Sequence, residues 1–188
     1  MGYYSDNGID GEVEKLFGDF VGHACDVGAN NGSFLSNTLH PEEKGWTVLC
    51  IEPNPLLAEE GRSRRKLWRE VAAASVDSDL RYFNICTNGP NYASSSALWP
   101  SKDGGERLVE VVSRRLDRIL EEAGFPKLDF LTVDCEGSER DIMAGFTVER
   151  WRPRVIVLEE LSENAITIPG YTLVGKRQYD NLYVREDS

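Results

Sequence analysis

Two acids and two glycines stand where a ligand could be held. Asp26, Gly28 and Gly32 fall in one stretch, His23-Ala-Cys-Asp-Val-Gly-Ala-Asn-Asn-Gly-Ser-Phe34. It reads as a short apolar strand followed by a turn. Glu52 ends a second apolar stretch, Thr47-Val-Leu-Cys-Ile-Glu-Pro53, about twenty residues further on. Glycines let a backbone approach a ligand closely. An acid ending the next strand is placed to take ribose hydroxyls. The glycines are not spaced as G-x-G-x-x-G, and no phosphate-cradling lysine follows, so a pyrophosphate loop and a P-loop are both disfavoured. A carboxylate inside the turn suits a cationic, phosphate-free nucleoside, of which S-adenosylmethionine is the common one.

A second set of acids lies further along. Asp134 and Glu136 alternate on an extended segment at the end of Leu128-Asp-Phe-Leu-Thr-Val-Asp134, and Glu159 and Glu160 end Arg154-Val-Ile-Val-Leu-Glu-Glu160. Moving a methyl group to an alcohol requires alignment of the acceptor and removal of its proton, and a carboxylate or imidazole can act as the base. Asp134, Glu136 and His40 are the catalytic candidates. Glu139 suits the start of a helix, where the dipole favours an acid. Asp134, Glu136 and Glu159 also form an oxygen set able to bind Mg²⁺.

The elements that must position these groups alternate between strand and helix. The pattern predicts helices over 11–20, 33–39, from Pro55 onward with Asn54 as its cap, 115–124 and 138–146. Strands are predicted over 24–27, 47–53, 67–74, 80–86, 108–112, 128–134 and 154–160. A hairpin over 171–176 and 181–185 closes the chain. Near-continuous apolar strands imply a mostly parallel sheet with helices on both faces and an antiparallel edge. The basic run Arg62, Arg64, Arg65, Lys66 reads as a solvated helix face. Residues 88–105, rich in Gly, Pro, Ser and Asn, read as a long loop. Ser94, Ser95, Ser96 and Trp99 there are candidates to contact a polar acceptor.

With 188 residues the chain is read as one domain, residues 1–22 forming an N-terminal lid segment and helix. A net charge of −11 argues against nucleic acid and anionic membrane as partners. No leader or membrane span is visible. Cys25, Cys50, Cys86 and Cys135 lack CxxC spacing and read as buried thiols of a cytoplasmic protein, with no zinc site.

Asp26-Val-Gly-Ala-Asn-Asn-Gly32, Ile51-Glu-Pro-Asn-Pro55, Val133-Asp-Cys-Glu-Gly-Ser-Glu139 and Val157-Leu-Glu159 together resemble the FkbM-type methyltransferases. These are class I, Rossmann-like enzymes that use S-adenosylmethionine and release S-adenosylhomocysteine. The resemblance spans residues 4 to 160. It implies a seven-stranded sheet with an antiparallel last strand. It implies that Asp26, Gly28, Ala29, Asn30, Asn31 and Gly32, with Ser33 and Phe34 following, wrap the methionine part. Glu52 would hold the ribose; Pro53, Asn54, Ala72 and Ala73 would border the adenine. Asp134 and Glu136 would lie at the methyl-donor end. Family members act on hydroxyls of sugars, glycans or polyketide-like products, so a small-molecule or glycan acceptor is expected. With no cap domain evident, the acceptor site should be open, completed by a second subunit or filled by the end of a larger glycan. Cys135 stands where valine or isoleucine is usual, a volume-tolerant swap. Two other readings of the residues are a nicotinamide-dependent oxidoreductase and a non-catalytic cofactor-binding interaction domain.

Overall fold

The computed structural model describes residues 2–86, 106–160 and 164–187. In chain order the elements are α1 (Ile9–Phe17), β1 (His23–Val27), α2 (Leu39–Glu43), β2 (Thr47–Ile51), α3 (Ala58–Arg64), β3 (Leu67–Arg69), β4 (Ala72–Ala73), β5 (Ser78–Cys86) and β6 (Glu106–Arg114). There follow α4 (Leu116–Glu122), β7 (Phe130–Val133), α5 (Glu139–Ala144), α6 (Val148–Trp151), β8 (Val155–Glu159), β9 (Tyr171–Arg177) and β10 (Asp180–Arg185).

Seven strands form one sheet in the order β3-β2-β1-β7-β8-β10-β9. The five from β3 to β8 run parallel; β10 pairs antiparallel with both β8 and β9. β4, β6 and β5 make a separate three-stranded sheet.

The strand sequences explain why both faces are covered. Alternate side chains point to opposite faces. Cys25, Val27, Leu49, Ile51, Leu131 and Val133 meet the apolar sides of α4 and α6 in one core. Ala24, Val48, Cys50, Phe130, Val155 and Val157 meet Ile9, Val13 and Phe17 of α1, with Trp46 and Trp68, in the other. A strand buried on both faces has to be apolar at nearly every position, as these are.

Several element assignments differ from the sequence reading: α3 starts at Ala58 with Leu57, not Asn54, at its N-cap, and the short helix α6 has no counterpart in that reading. Residues 33–39 are not a helix; the chain turns irregularly until α2 begins at Leu39. Gly32 and Leu35 have φ of 85° and 52°, outside the right-handed region a helix needs. Pro41 sits in the first turn of α2, where its missing N–H is no loss. Residues 67–74 are two strands: β3 ends at Arg69, and Ala72 and Ala73 pair instead with Ser113 and Arg114 of β6. The first helix starts at Ile9 and ends before Gly18, so Phe20 lies beyond it, stacked on Phe17. Residues 88–105, with their serines and Trp99, and the Cys86 side chain lie outside what is described. Among the described residues, no helix is long and apolar enough to cross a membrane.

Candidate functional site

The parallel strands β2, β1, β7 and β8 all end on the same edge of the sheet, and each delivers an acid there. β1 carries Asp26; Glu52 follows β2, Asp134 follows β7, and Glu159 closes β8. The strand order reverses between β1 and β7, and in open α/β sheets the crevice at such a point receives the ligand. A cavity lies there, with all four acids in its wall.

The turn after β1 is held from both sides. The Gly28 and Ala29 N–H groups donate to the Ile51 carbonyl at 2.9 and 3.1 Å, and the Asp134 N–H donates to the Val27 carbonyl at 2.9 Å. Gly28 has φ of 86°, and a Cβ there would fall 1.7 Å from the Asp134 carbonyl oxygen. Only glycine fits this crossing.

Glu52 is buried and accepts from the Asn30 N–H at 3.0 Å and the Asn54 N–H at 2.8 Å, one on each oxygen. Burial pushes its carboxyl up to about 7, the charges of Asp26 and Asp134 add to the rise, and the two N–H donors oppose it. Asp26 is likewise raised by burial but held back by Arg65 and by the Thr38 and Ser36 hydroxyls. Beside Glu52 the wall turns apolar, built from Pro53, Ala72, Ala73, Phe83 and Ile142. An apolar slot next to a carboxylate matches the two halves of a nucleoside, a planar base and a diol.

In the same wall, Asp134, Glu136 and Glu159 place carboxylate oxygens within 4.8 Å of one another. Like charges this close do not all ionise freely. Glu136 is raised to about 7 by burial, then by Asp134 and Glu139. Glu159 is also raised to about 7 by burial, with a hydrogen bond to Asp134 opposing the rise. Asp134, at the rim, is raised by desolvation and by Glu159. Glu136 sits at φ 53°, a left-handed conformation that non-glycine residues avoid without compensation elsewhere. Glu139 opens α5, accepting from the Cys135 N–H at 2.9 Å and the Gly137 N–H at 3.1 Å.

The cavity thus gathers Asp26, Gly28, Ala29, Asn30, Phe34, Glu52, Pro53, Ala72, Ala73, Asp134 and Glu136. It does not gather Asn31, Gly32, Ser33 or Asn54. Asn31 Oδ1 instead accepts from the Ser33 and Phe34 N–H groups at 3.1 and 2.9 Å and shapes the turn. Gly32 gives its carbonyl to Arg65. Ser33 Oγ meets Arg64. Asn54 is enclosed, its Oδ1 accepting from the Leu56 N–H at 3.0 Å at the approach to α3. His40 is placed away from the cavity, on α2. Its Nε2 lies 3.3 Å from Glu14, and its Nδ1 lies 3.2 Å from the Gly2 carbonyl. The helix that carries His40 packs against α1, which turns it away from the strand ends.

Glu159, Leu35, Ser36, Asn37, Phe83, Cys135, Ser138 and Ile142 also line the cavity, with Val27 and Ile51. Glu159 was signalled by its place at a strand end; Ile142 was not singled out, though it falls within the predicted helix over 138–146. Nothing in the sequence marks Phe83, which arrives from the second sheet. Arg65, read as part of a solvated face, is enclosed: its side chain is 0% exposed and pairs with Glu42 at 2.5 Å. Cys25 and Cys50 are buried as expected, whereas Cys135 is only partly covered.

Comparison with known proteins gives the same family. A 2-O-methyltransferase, NoeI, from Sinorhizobium fredii (strain NBRC 101917 / NGR234) is 28% identical over 153 residues, 71% of this chain. The chain covers 61% of that relative's length. No solved structure matches the chain. The methyltransferase FkbM domain matches residues 26–167, from the acid of the glycine turn to beyond β8, and the chain belongs to that family.

Proposed function

We propose that this protein is an S-adenosylmethionine-dependent methyltransferase that methylates a hydroxyl of a sugar, glycan or polyketide-like product. The observation that carries the reading is Glu52, buried between the glycine turn and the apolar slot of Ala72, Ala73 and Ile142. The residues fit the cofactor: a carboxylate for the ribose, a slot for the base, and a backbone crossing at Gly28 that a Cβ would block. When bound, the cofactor supplies a methyl group already activated by a sulfonium charge. The chain must align the acceptor and take its proton. Glu136 and Glu159, with carboxyls near 7, are matched to a general base working at neutral pH. Transfer to oxygen is supported by the relative from Sinorhizobium fredii, a 2-O-methyltransferase. Phe34, 45% exposed, and Leu35, 47% exposed, line the same cavity and leave apolar surface at its mouth for a bulky acceptor or a second subunit.

The test is thermal melting with S-adenosylmethionine, S-adenosylhomocysteine and NAD⁺ in parallel, on wild type and Glu52→Ala. A ligand at about 100 times its Kd adds roughly 2.7 kcal/mol of stability. The expected result is a shift with the two sulfur nucleosides only, lost in Glu52→Ala. A shift with NAD⁺ alone, or none with any ligand, would remove the proposal.

A further inference from the structure

Arg65 follows α3 and is among the most enclosed charged residues described, yet it does not line the cavity. Its guanidinium is divided among three segments. Nε donates to Glu42 on α2 at 2.5 Å. Nη1 donates to the Gly32 carbonyl at 2.9 Å and to Ser36 Oγ at 3.2 Å. Nη2 donates to Thr38 Oγ1 at 2.7 Å. The Thr38 hydroxyl, which can accept and donate at once, donates in turn to the Asp26 carboxylate at 2.5 Å. The Cγ of the same side chain lies 2.8 Å from where a Cβ of Gly32 would sit.

These contacts converge on the irregular loop between Gly32 and Thr38. That loop forms one wall of the cavity through Phe34, Leu35, Ser36 and Asn37. It has no helix or strand ladder of its own, and Leu35 is held at φ 52°. Such a segment keeps one shape only if something outside it over-determines that shape. A planar fork of donors can serve carbonyl, hydroxyl and carboxylate together, which the point charge of a lysine cannot.

We propose that Arg65 is a positioning residue for the cofactor: without touching it, Arg65 fixes the cavity wall through Gly32 and holds Asp26 both through Thr38 and directly, its Nη1 lying 3.8 Å from the Asp26 carboxylate. The inference rests on the nucleoside reading of the cavity given above.

The experiment is calorimetric titration with S-adenosylhomocysteine across pH on wild type, Glu42→Gln/Arg65→Gln and Thr38→Val. The double change avoids leaving Glu42 as an unpaired buried charge. Thr38→Val keeps the side-chain shape and decides alone if the double variant does not fold. Both variants are expected to bind at least tenfold more weakly. Both should also lose affinity on acidification at a higher pH than wild type, because Asp26 has lost one group that favours its charge, the Arg65 guanidinium in the double variant and the Thr38 hydroxyl in Thr38→Val. Affinity within twofold of wild type in a folded variant overturns the proposal. So does weakening with an unmoved pH profile, which marks general loosening of the fold. If wild type itself binds no S-adenosylhomocysteine, the nucleoside reading falls first and takes this inference with it.

Discussion

Glu52 does two jobs that pull against each other. Its two oxygens pin the backbone at Asn30 and Asn54, which favours the charged form. Its burial in the cavity wall favours the neutral one, and burial prevails, leaving the carboxyl near 7. A charged carboxylate is the stronger acceptor for a pair of ribose hydroxyls. Affinity for S-adenosylhomocysteine should therefore rise between pH 6 and pH 8, by roughly tenfold if only the ionised form binds. Glu52→Gln, with nothing to titrate, should flatten the profile. Equal slopes in wild type and variant would assign the pH effect to another group. Glu52 was legible from sequence because its position after an apolar strand fixes where it emerges. Arg65 was not: Glu42, Gly32 and Thr38 are brought to it by tertiary folding, and no local spacing records that.

At the scale of elements, α3 depends on what it lacks. Gly61 lies in the middle of Ala58–Arg64, where alanine would normally stabilise a helix by up to ~1 kcal/mol. A Cβ at Gly61, however, would fall 2.2 Å from the Trp68 ring on β3. Overpacking of this kind costs about 1–3 kcal/mol. Gly61→Ala should destabilise on balance, lowering the melting temperature by roughly 2–4 °C for each net kcal/mol. A melting temperature at or above wild type would mean that α3 moves freely off β3. The long parallel strands were easy to read, since Val155–Leu158 and Leu49–Ile51 are apolar on both faces. The stretch after β1 was misread as helical because its composition allows a helix while Gly32 and Leu35 take dihedrals that composition does not reveal. The break between β3 and β4 was hidden for a similar reason. Arg69 and Glu70 interrupt the apolar run, but only the pairing of Ala72 and Ala73 with β6 shows that a separate strand begins after them.

At the scale of the whole molecule, gathering acids at one edge of the sheet has a stability consequence. Glu52, Glu136 and Glu159 hold their protons to about 7 in the fold, against 4.5 as the ordinary value. Between those values the folded chain binds more protons than the unfolded one, so stability must fall as pH rises. Glu14, held near 2 chiefly by Lys44, runs the other way, but its contribution is already complete above pH 5. The ligand-free protein should therefore lose melting temperature between pH 5.5 and 7.5. Glu136→Gln/Glu159→Gln should lose less and be the more stable protein at pH 7.5. A wild-type melting temperature that is flat or rising over this window would contradict the raised carboxyls.

The insertion of β10 between β8 and β9 bears on a different matter, the fate of damaged chains. A copy clipped before β10 would expose along β8 a full set of unpaired backbone groups flanked by Val155, Ile156, Val157 and Leu158, all wholly enclosed in the intact sheet. Such an edge recruits other strands. Proteolysis near the hairpin should thus yield aggregates rather than a soluble, merely inactive remnant.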